Sequence, residues 1–352
     1  MTQHGRAPIL LARYLALAWC GLVIYGSLHP FSGWRDTGIS PFAFLEGGWP
    51  RYWTAFDLVT NVAVYVPLGF FLTLALYPVP GRFTAPILAV LLASGVSCGL
   101  ESLQTWLPSR VPSNVDLACN SLGGLLGAVW AQYVGPRIFA RITALEHRLI
   151  APVSHAELGL TLLGIWLLVP LSPETLLFGA GDLRQMLDLT SAVPFAADSF
   201  AIIEASITAL NTIAVGLILR HLTARLLWAY LVVPLFLLLG LVVRTLASAI
   251  LITPDEALAW LTPGAQMGLL VAVLFLAVSM ALPATLRLML AALALMSATV
   301  LVNLAPPNPY SMAALATWRQ GHFLNFNGLT RLVATLWPFL TLPFLLLTSR
   351  RT

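Results

Sequence analysis

Ten stretches of about twenty residues, each almost free of charge, make up most of this 352-residue chain. They fall near 9–27, 58–77, 85–106, 115–134, 157–178, 199–219, 226–250, 264–282, 284–303 and 328–348. An α-helix rises about 1.5 Å per residue, so each stretch can cross a hydrocarbon core about 30 Å thick while satisfying its own backbone hydrogen bonds. Composition argues against a soluble alternative, because 59% of the residues are hydrophobic, 9% are charged and mean hydropathy is +0.88. So few charged side chains cannot coat a water-soluble globule of this size. The expected fold is all-α, a polytopic integral membrane helical bundle with about ten transmembrane helices.

The loops orient the bundle. All 18 basic residues are arginines, and alternate loops hold Arg82, then Arg137, Arg141 and Arg148, then Arg220 and Arg225, then Arg287, with Arg350 and Arg351 in the tail. The intervening loops hold Asp36, Glu46, Asp182, Asp188, Asp198, Asp255 and Glu256. An excess of arginine marks cytoplasmic loops, so both termini are expected to be cytoplasmic. Trp34, Trp49 and Trp53 then lie in the first outer loop, where interfacial aromatics belong. The arginines form no basic stripe, so nucleic acid is not an expected partner.

Residues 9–27 are long enough to span, and Trp19 before Cys20 breaks the small-residue pattern of a cleavage site. The first stretch therefore reads as a retained helix. Cys20, Cys98 and Cys119 lie inside apolar runs without metal-ligand spacing and read as packing residues, so neither metal nor cofactor is expected. Polarity rises over 135–156, where Pro136 and Pro152 bracket a short amphipathic piece. The chain is read as a four-helix domain over 1–135, a basic cytoplasmic linker over 136–156 and a six-helix domain over 157–352.

Ionisable groups near a membrane span cost roughly 2.5 to 3.5 kcal/mol at a helix centre and therefore need a partner or a purpose. The first domain concentrates them in three pairs: Asp57 with Asn61, Glu101 with Gln104, and Asp116 with Asn120. Each pair is spaced i, i+3 or i, i+4 and shares one helix face. Beyond Asn120 come Gly123 and Gly127, a GxxxG spacing that lets another helix approach closely. Pro67 leaves one backbone carbonyl free below Asp57 and Asn61.

Simpler roles compete. Thr54 with Asp57 and Ser113 with Asp116 fit the capping pattern of a helix N-terminus. Glu101 lies near a helix C-terminus, where the dipole opposes it, so capping does not explain it, whereas a buried ion pair with Arg110 would. Glu204 and Arg244, in the later helices, read as a structural interhelical pair.

YGSLHPF at 25–31, DLVTNVAVYVPLGF from Asp57, and ESLQTWLPSRVPSNVDLACNSLGGLLG from Glu101 together resemble the VanZ family of bacterial membrane proteins. The resemblance covers roughly residues 9–135, and by position its motif residues are Asp57, Asn61, Pro67, Gly69, Glu101, Gln104, Arg110, Asp116, Asn120 and Gly124. It implies a multi-pass protein of the bacterial cytoplasmic (inner) membrane. The family's founding member is associated with resistance to the glycopeptide teicoplanin.

Three readings of the polar residues stand side by side. One is an outward-facing pocket of Asp57, Asn61, Glu101, Gln104, Arg110, Asp116 and Asn120 that binds or handles an anionic envelope lipid, a lipid-linked cell-wall precursor or a lipoglycopeptide, with Arg110 on the anion. Another is a membrane-embedded enzyme whose carboxylates serve as acid, base or divalent-cation ligands, although no catalytic motif supports it and no catalytic residue is assigned. The third is a structural or partner subunit of an envelope complex.

Overall fold

The computed structural model describes residues 7–48, 54–77, 79, 82–184, 186–187, 194–306 and 324–349. Among them lie ten α-helices: α1 (Ala7–Leu28), α2 (Ala55–Ala75), α3 (Thr84–Gln104), α4 (Asn114–Leu149), α5 (Ala156–Trp166), α6 (Ala197–Leu222), α7 (Leu226–Leu251), α8 (Pro263–Ser279), α9 (Ala284–Leu304) and α10 (Leu324–Ser349). The only β-structure among the described residues is an isolated bridge between Ile150 and Thr223. The chain divides into two compact units, Met1–Leu145 and Glu146–Thr352.

Among the described residues, seven helices, α1, α2, α3, α6, α7, α9 and α10, are long and apolar enough to cross a membrane by length and composition. Their outward faces are greasy. On α7, Leu227, Leu231, Leu235, Leu238, Val242, Leu246 and Ile250 are exposed at helical spacing, a continuous apolar stripe that suits lipid and not water. The protein is thus an all-α, multi-pass membrane bundle.

In the first unit, α1 lays Ala12, Ala16, Val23 and Leu28 against Leu68, Phe70 and Leu74 of α2 and Ala93 and Leu100 of α3. The Trp19 indole donates to the Val64 carbonyl at 2.8 Å. Contact between α2 and α4 is closer still. A Cβ added at Gly123 would sit 2.3 Å from the Val62 oxygen, at Gly127 2.0 Å from the Val66 oxygen, and at Gly69 2.1 Å from the Gly124 oxygen. The GxxxG spacing therefore brings two backbones together. With 36 residues, α4 is about 54 Å long and outruns the hydrocarbon core. Most of the polar stretch beginning at 135 is its last turns, where Arg137, Arg141 and Arg148 are exposed.

In the second unit α6 is central, with 78% of its apolar window buried against 22% for α7. It packs on α5, α7, α8 and α9. The fifth apolar stretch does not form the continuous helix expected over 157–178: α5 stops at Trp166 and a 3-10 turn follows at Val169–Leu171. Pro170 is the cause, since it lacks the N–H that would bond the Trp166 carbonyl and its ring crowds that carbonyl. The chain then runs through the protein without regular structure, burying Ser172, Leu177, Phe178 and Ala180. Trp166 stacks at 4.9 Å from Phe178 and 5.5 Å from Phe236. Irregular backbone at such depth survives only where protein supplies its hydrogen bonds. Here Thr208, Arg244, Asn303 and Thr335 supply them.

Arg350, Arg351 and Asp188, which contribute to the orientation, and Trp49 and Trp53 of the expected interfacial belt lie outside the described residues. In a background lacking the free cysteines Cys20, Cys98 and Cys119, a cysteine at Arg141 or in the C-terminal tail is expected to react with an impermeant thiol reagent only after the membrane is opened. One at Ser109, or in the 305–327 loop, is expected to react in intact cells. Labelling of position 141 from the outer face would reverse the orientation.

Candidate functional site

Polar side chains of the first unit converge where the C-termini of α1 and α3 meet the N-termini of α2 and α4. The turn after α3 is covered by the first loop, in which the Arg35 N–H donates to the Trp106 carbonyl at 3.0 Å and the Thr37 hydroxyl to the Thr105 carbonyl at 3.3 Å. Asn114 Nδ2 donates to the Gly47 carbonyl at 2.6 Å. The short α3–α4 connection and the longer α1–α2 loop folded over it let four helices contribute to one cluster.

Glu101 is the most deeply buried carboxylate of the cluster, 4% exposed. Its Oε2 accepts the Ser113 backbone N–H at 2.8 Å, and its electrostatic neighbours are Asp116 and Arg110. No ion pair joins Glu101 to Arg110. Instead the Arg110 guanidinium donates through Nε and Nη2 to the His29 carbonyl, at 3.1 and 2.9 Å, and through Nη2 to the Gly26 carbonyl at 3.0 Å. Gln104 Nε2 donates to the Ser27 carbonyl at 3.0 Å. Arg110 and Gln104 thus cap the C-terminus of α1, where free carbonyls and the negative end of the dipole attract donors. Burial lowers the Arg110 pKa from its ordinary value, and Glu101 opposes that shift.

Asp57 occupies a complete capping box. Its Oδ2 accepts the Thr54 N–H at 3.0 Å and the Thr54 hydroxyl at 2.7 Å, while the Thr54 hydroxyl accepts the Asp57 N–H at 3.1 Å. It is exposed. Ser113 caps α4 in a similar way, accepting the N–H groups of Val115 and Asp116 at 3.2 and 3.3 Å, but the Asp116 carboxylate lies against the Asn61 side chain of α2 with Asp57 as its electrostatic neighbour. Asn120 Nδ2 donates to the Ser97 hydroxyl at 2.9 Å, and its Oδ1 is buried without a hydrogen-bond partner among the described residues. Asp57, Asn61 and Asp116 therefore form a half-open acceptor-rich face, backed by buried Glu101 and Asn120. Gln104 and Arg110 are committed to α1.

Two features of the second unit were not anticipated from sequence. Glu204 and Arg244 do not pair: Glu204 lies against Thr262 and Gly264 at the start of α8, whereas Arg244 donates to the Ser172, Pro173 and Thr175 carbonyls. Carbonyls of the irregular segment outcompete a distant carboxylate. That segment also borders a cavity of about 60 Å³ lined by Glu174, Thr175, Asp182 and Arg184 among others. Arg184 pairs with Asp182 at 2.6 Å, and Arg331 of α10 with Glu174 at 3.2 Å. Its sequence signal is the polar, proline-broken run SPETLLFGAGDLR, which resembles a loop as much as a span.

No group of three His, Cys, Asp or Glu side chains able to share a metal ion occurs among the described residues. No curated protein and no solved structure matches the chain. The VanZ/LLP1 family model matches residues 13–135, the region that contains the whole polar cluster, its GxxxG contact and the Arg110 clasp. Over residues 13–135 the first unit of this membrane protein is thus similar to the VanZ/LLP1 family.

Proposed function

We propose that the VanZ-like unit binds the headgroup of an envelope lipid or lipoglycopeptide at the outer face of the bacterial cytoplasmic membrane, engaging its hydroxyl, amide and amine donors. The observation that carries this reading is the placement of Glu101: a buried carboxylate beside Asp116 that, among the described residues, accepts one backbone N–H and forms no ion pair. Burying such a group without a full set of partners costs free energy that packing alone does not return. With Asp57 and Asp116 toward the surface and Arg110 turned onto α1, the available groups are mainly acceptors. This favours donor-bearing headgroups over the bare anion that the motif residues first suggested. Acyl chains of the same ligand would lie along the exposed apolar helix faces. Teicoplanin, which joins a glycopeptide to an acyl chain, has this chemistry, and resistance to it is the phenotype to examine first.

The test compares the wild type with Glu101→Gln and Asp116→Asn in a deletion strain. Gln keeps the size of Glu and an oxygen that can accept the Ser113 N–H, so membrane abundance is expected to stay within about twofold. The deletion phenotype in glycopeptide susceptibility or lipid-precursor profile is expected to persist in both variants. Purified wild type in nanodiscs should bind an acylated glycopeptide or lipid-linked precursor at least tenfold more tightly than the variants do. Full complementation by Glu101→Gln, with unchanged binding, would overturn the reading. Arg110→Ala behaves differently: it strips the donors from the Gly26 and His29 carbonyls, so abundance itself is expected to fall.

A further inference from the structure

At the C-terminus of α6 the second unit buries Arg220, His221 and, from the first turns of α9, Arg287. They are 9%, 2% and 9% exposed. Arg220 Nε donates to the Met280 carbonyl at 3.0 Å and its Nη1 to the Thr223 carbonyl at 2.9 Å. Arg287 Nη1 donates to the Leu282 carbonyl at 2.5 Å. The two guanidinium groups thus grip carbonyls two residues apart in the turn between α8 and α9, and both are electrostatic neighbours of His221.

What this corner lacks, among the described residues, is an anion. The two ion pairs among the described residues are Asp182 with Arg184 and Glu174 with Arg331, so neither Arg220 nor Arg287 has a carboxylate partner. Backbone carbonyls satisfy part of each guanidinium but do not neutralise its charge. Among the described residues, both ring nitrogens of His221, Nε of Arg287 and the hydroxyl of Ser279, the residue before Met280, are buried without a hydrogen-bond partner. Two fixed positive charges with idle donors around them match the tetrahedral oxygens of a phosphate, which guanidinium groups bind through two parallel hydrogen bonds. Arg225, exposed at the start of α7, adds a third cation nearby in sequence.

We infer that Arg220, His221, Arg287 and Ser279 form an anion site for a phosphate group, from either an acidic phospholipid headgroup or a soluble phosphate. It lies in the unit outside the VanZ-like domain and is independent of the function proposed for that domain. Basic recesses between membrane helices are a recurrent way of holding phospholipid headgroups.

Full-length protein is reconstituted in nanodiscs of phosphatidylcholine alone or with phosphatidylglycerol, each with and without inorganic phosphate, and its unfolding temperature is measured. A saturating ligand, at about a hundred times its dissociation constant, is expected to raise the midpoint by roughly 5 to 10 °C. A rise with phosphatidylglycerol alone identifies a lipid headgroup, and a rise with phosphate in neutral lipid identifies a soluble anion. In Arg287→Gln the rise, measured from that variant's own midpoint in neutral lipid without phosphate, should disappear. If that variant is not recovered from membranes, Arg287→Lys takes its place, keeping the charge but not the fork, and is expected to weaken the response at least threefold. Native mass spectrometry of the wild type from detergent should retain a phosphorus-containing adduct. A wild-type midpoint indifferent to both phosphatidylglycerol and phosphate, or an equal response in the variants, would overturn the site.

Discussion

Arg244→Met is expected to cost about 3 to 5 kcal/mol and to open the irregular segment after α5. The side chain is 5% exposed and lies within α7, yet its guanidinium serves another part of the chain altogether: the Ser172, Pro173 and Thr175 carbonyls. Methionine fills similar volume and removes every one of those donors. Each buried carbonyl left without a partner costs about 1 to 3 kcal/mol, offset in part because the cost of burying the charge disappears with it. The Ser172 carbonyl keeps a local donor, the Thr175 hydroxyl at 3.1 Å, but the Pro173 and Thr175 carbonyls belong to no helix that could replace the lost bonds. Lysine has three donors and can recover part of the effect, though without the planar fork. Limited proteolysis in detergent is expected to cut the 172–184 segment of Arg244→Met well before the wild type, with Arg244→Lys between them. An unchanged midpoint and cleavage pattern in Arg244→Met would show that the segment is held by packing of Phe178 on Trp166 and not by the arginine.

The same residue shows where sequence reading reaches its limit. Apolar length fixed nine of the ten helices to within a few residues at most ends, because lipid imposes a minimum length that composition reveals directly. It failed at α5, where Pro170 outweighs an apolar run, and at the end of α4, where a polar stretch continues as helix. The cluster residues of the first unit were legible as types and spacings, and the capping box of Asp57 and the close approach at Gly123 and Gly127 follow from local pattern alone. Arg110 and Arg244 were not legible in this way. The sequence pairs both with carboxylates, because side chains of opposite charge are the only partners it displays. Both in fact bind backbone carbonyls, which every residue carries and no sequence distinguishes. Gln104 escaped for the same reason, with the Ser27 carbonyl as its partner.

Gly127→Ala is expected to separate α2 from α4 at a cost of about 3 kcal/mol or more, while Gly95→Ala, in α3, is expected to be neutral or stabilising by up to about 1 kcal/mol. The added methyl is the same, and the surroundings decide. At Gly127 its carbon would lie 2.0 Å from the Val66 oxygen and 2.8 Å from the Phe70 nitrogen, both backbone atoms of α2. A side chain could turn away, but a backbone atom moves only with its helix, so the strain spreads along the contact that Gly123 and Gly69 share. At Gly95 nothing lies within 4 Å of the added carbon, and alanine removes the entropic penalty of glycine in a helix. Thermal midpoints in detergent and membrane abundance should therefore diverge sharply between the two variants. The consequence reaches the polar cluster, because the α2–α4 approach holds the Asp116 carboxylate against Asn61. Gly127→Ala should lose the function of the VanZ-like unit even where residual protein remains folded. Equal midpoints for Gly127→Ala and Gly95→Ala would mean that α2 and α4 do not meet at these glycines, and with that the geometry of the acceptor face would fall.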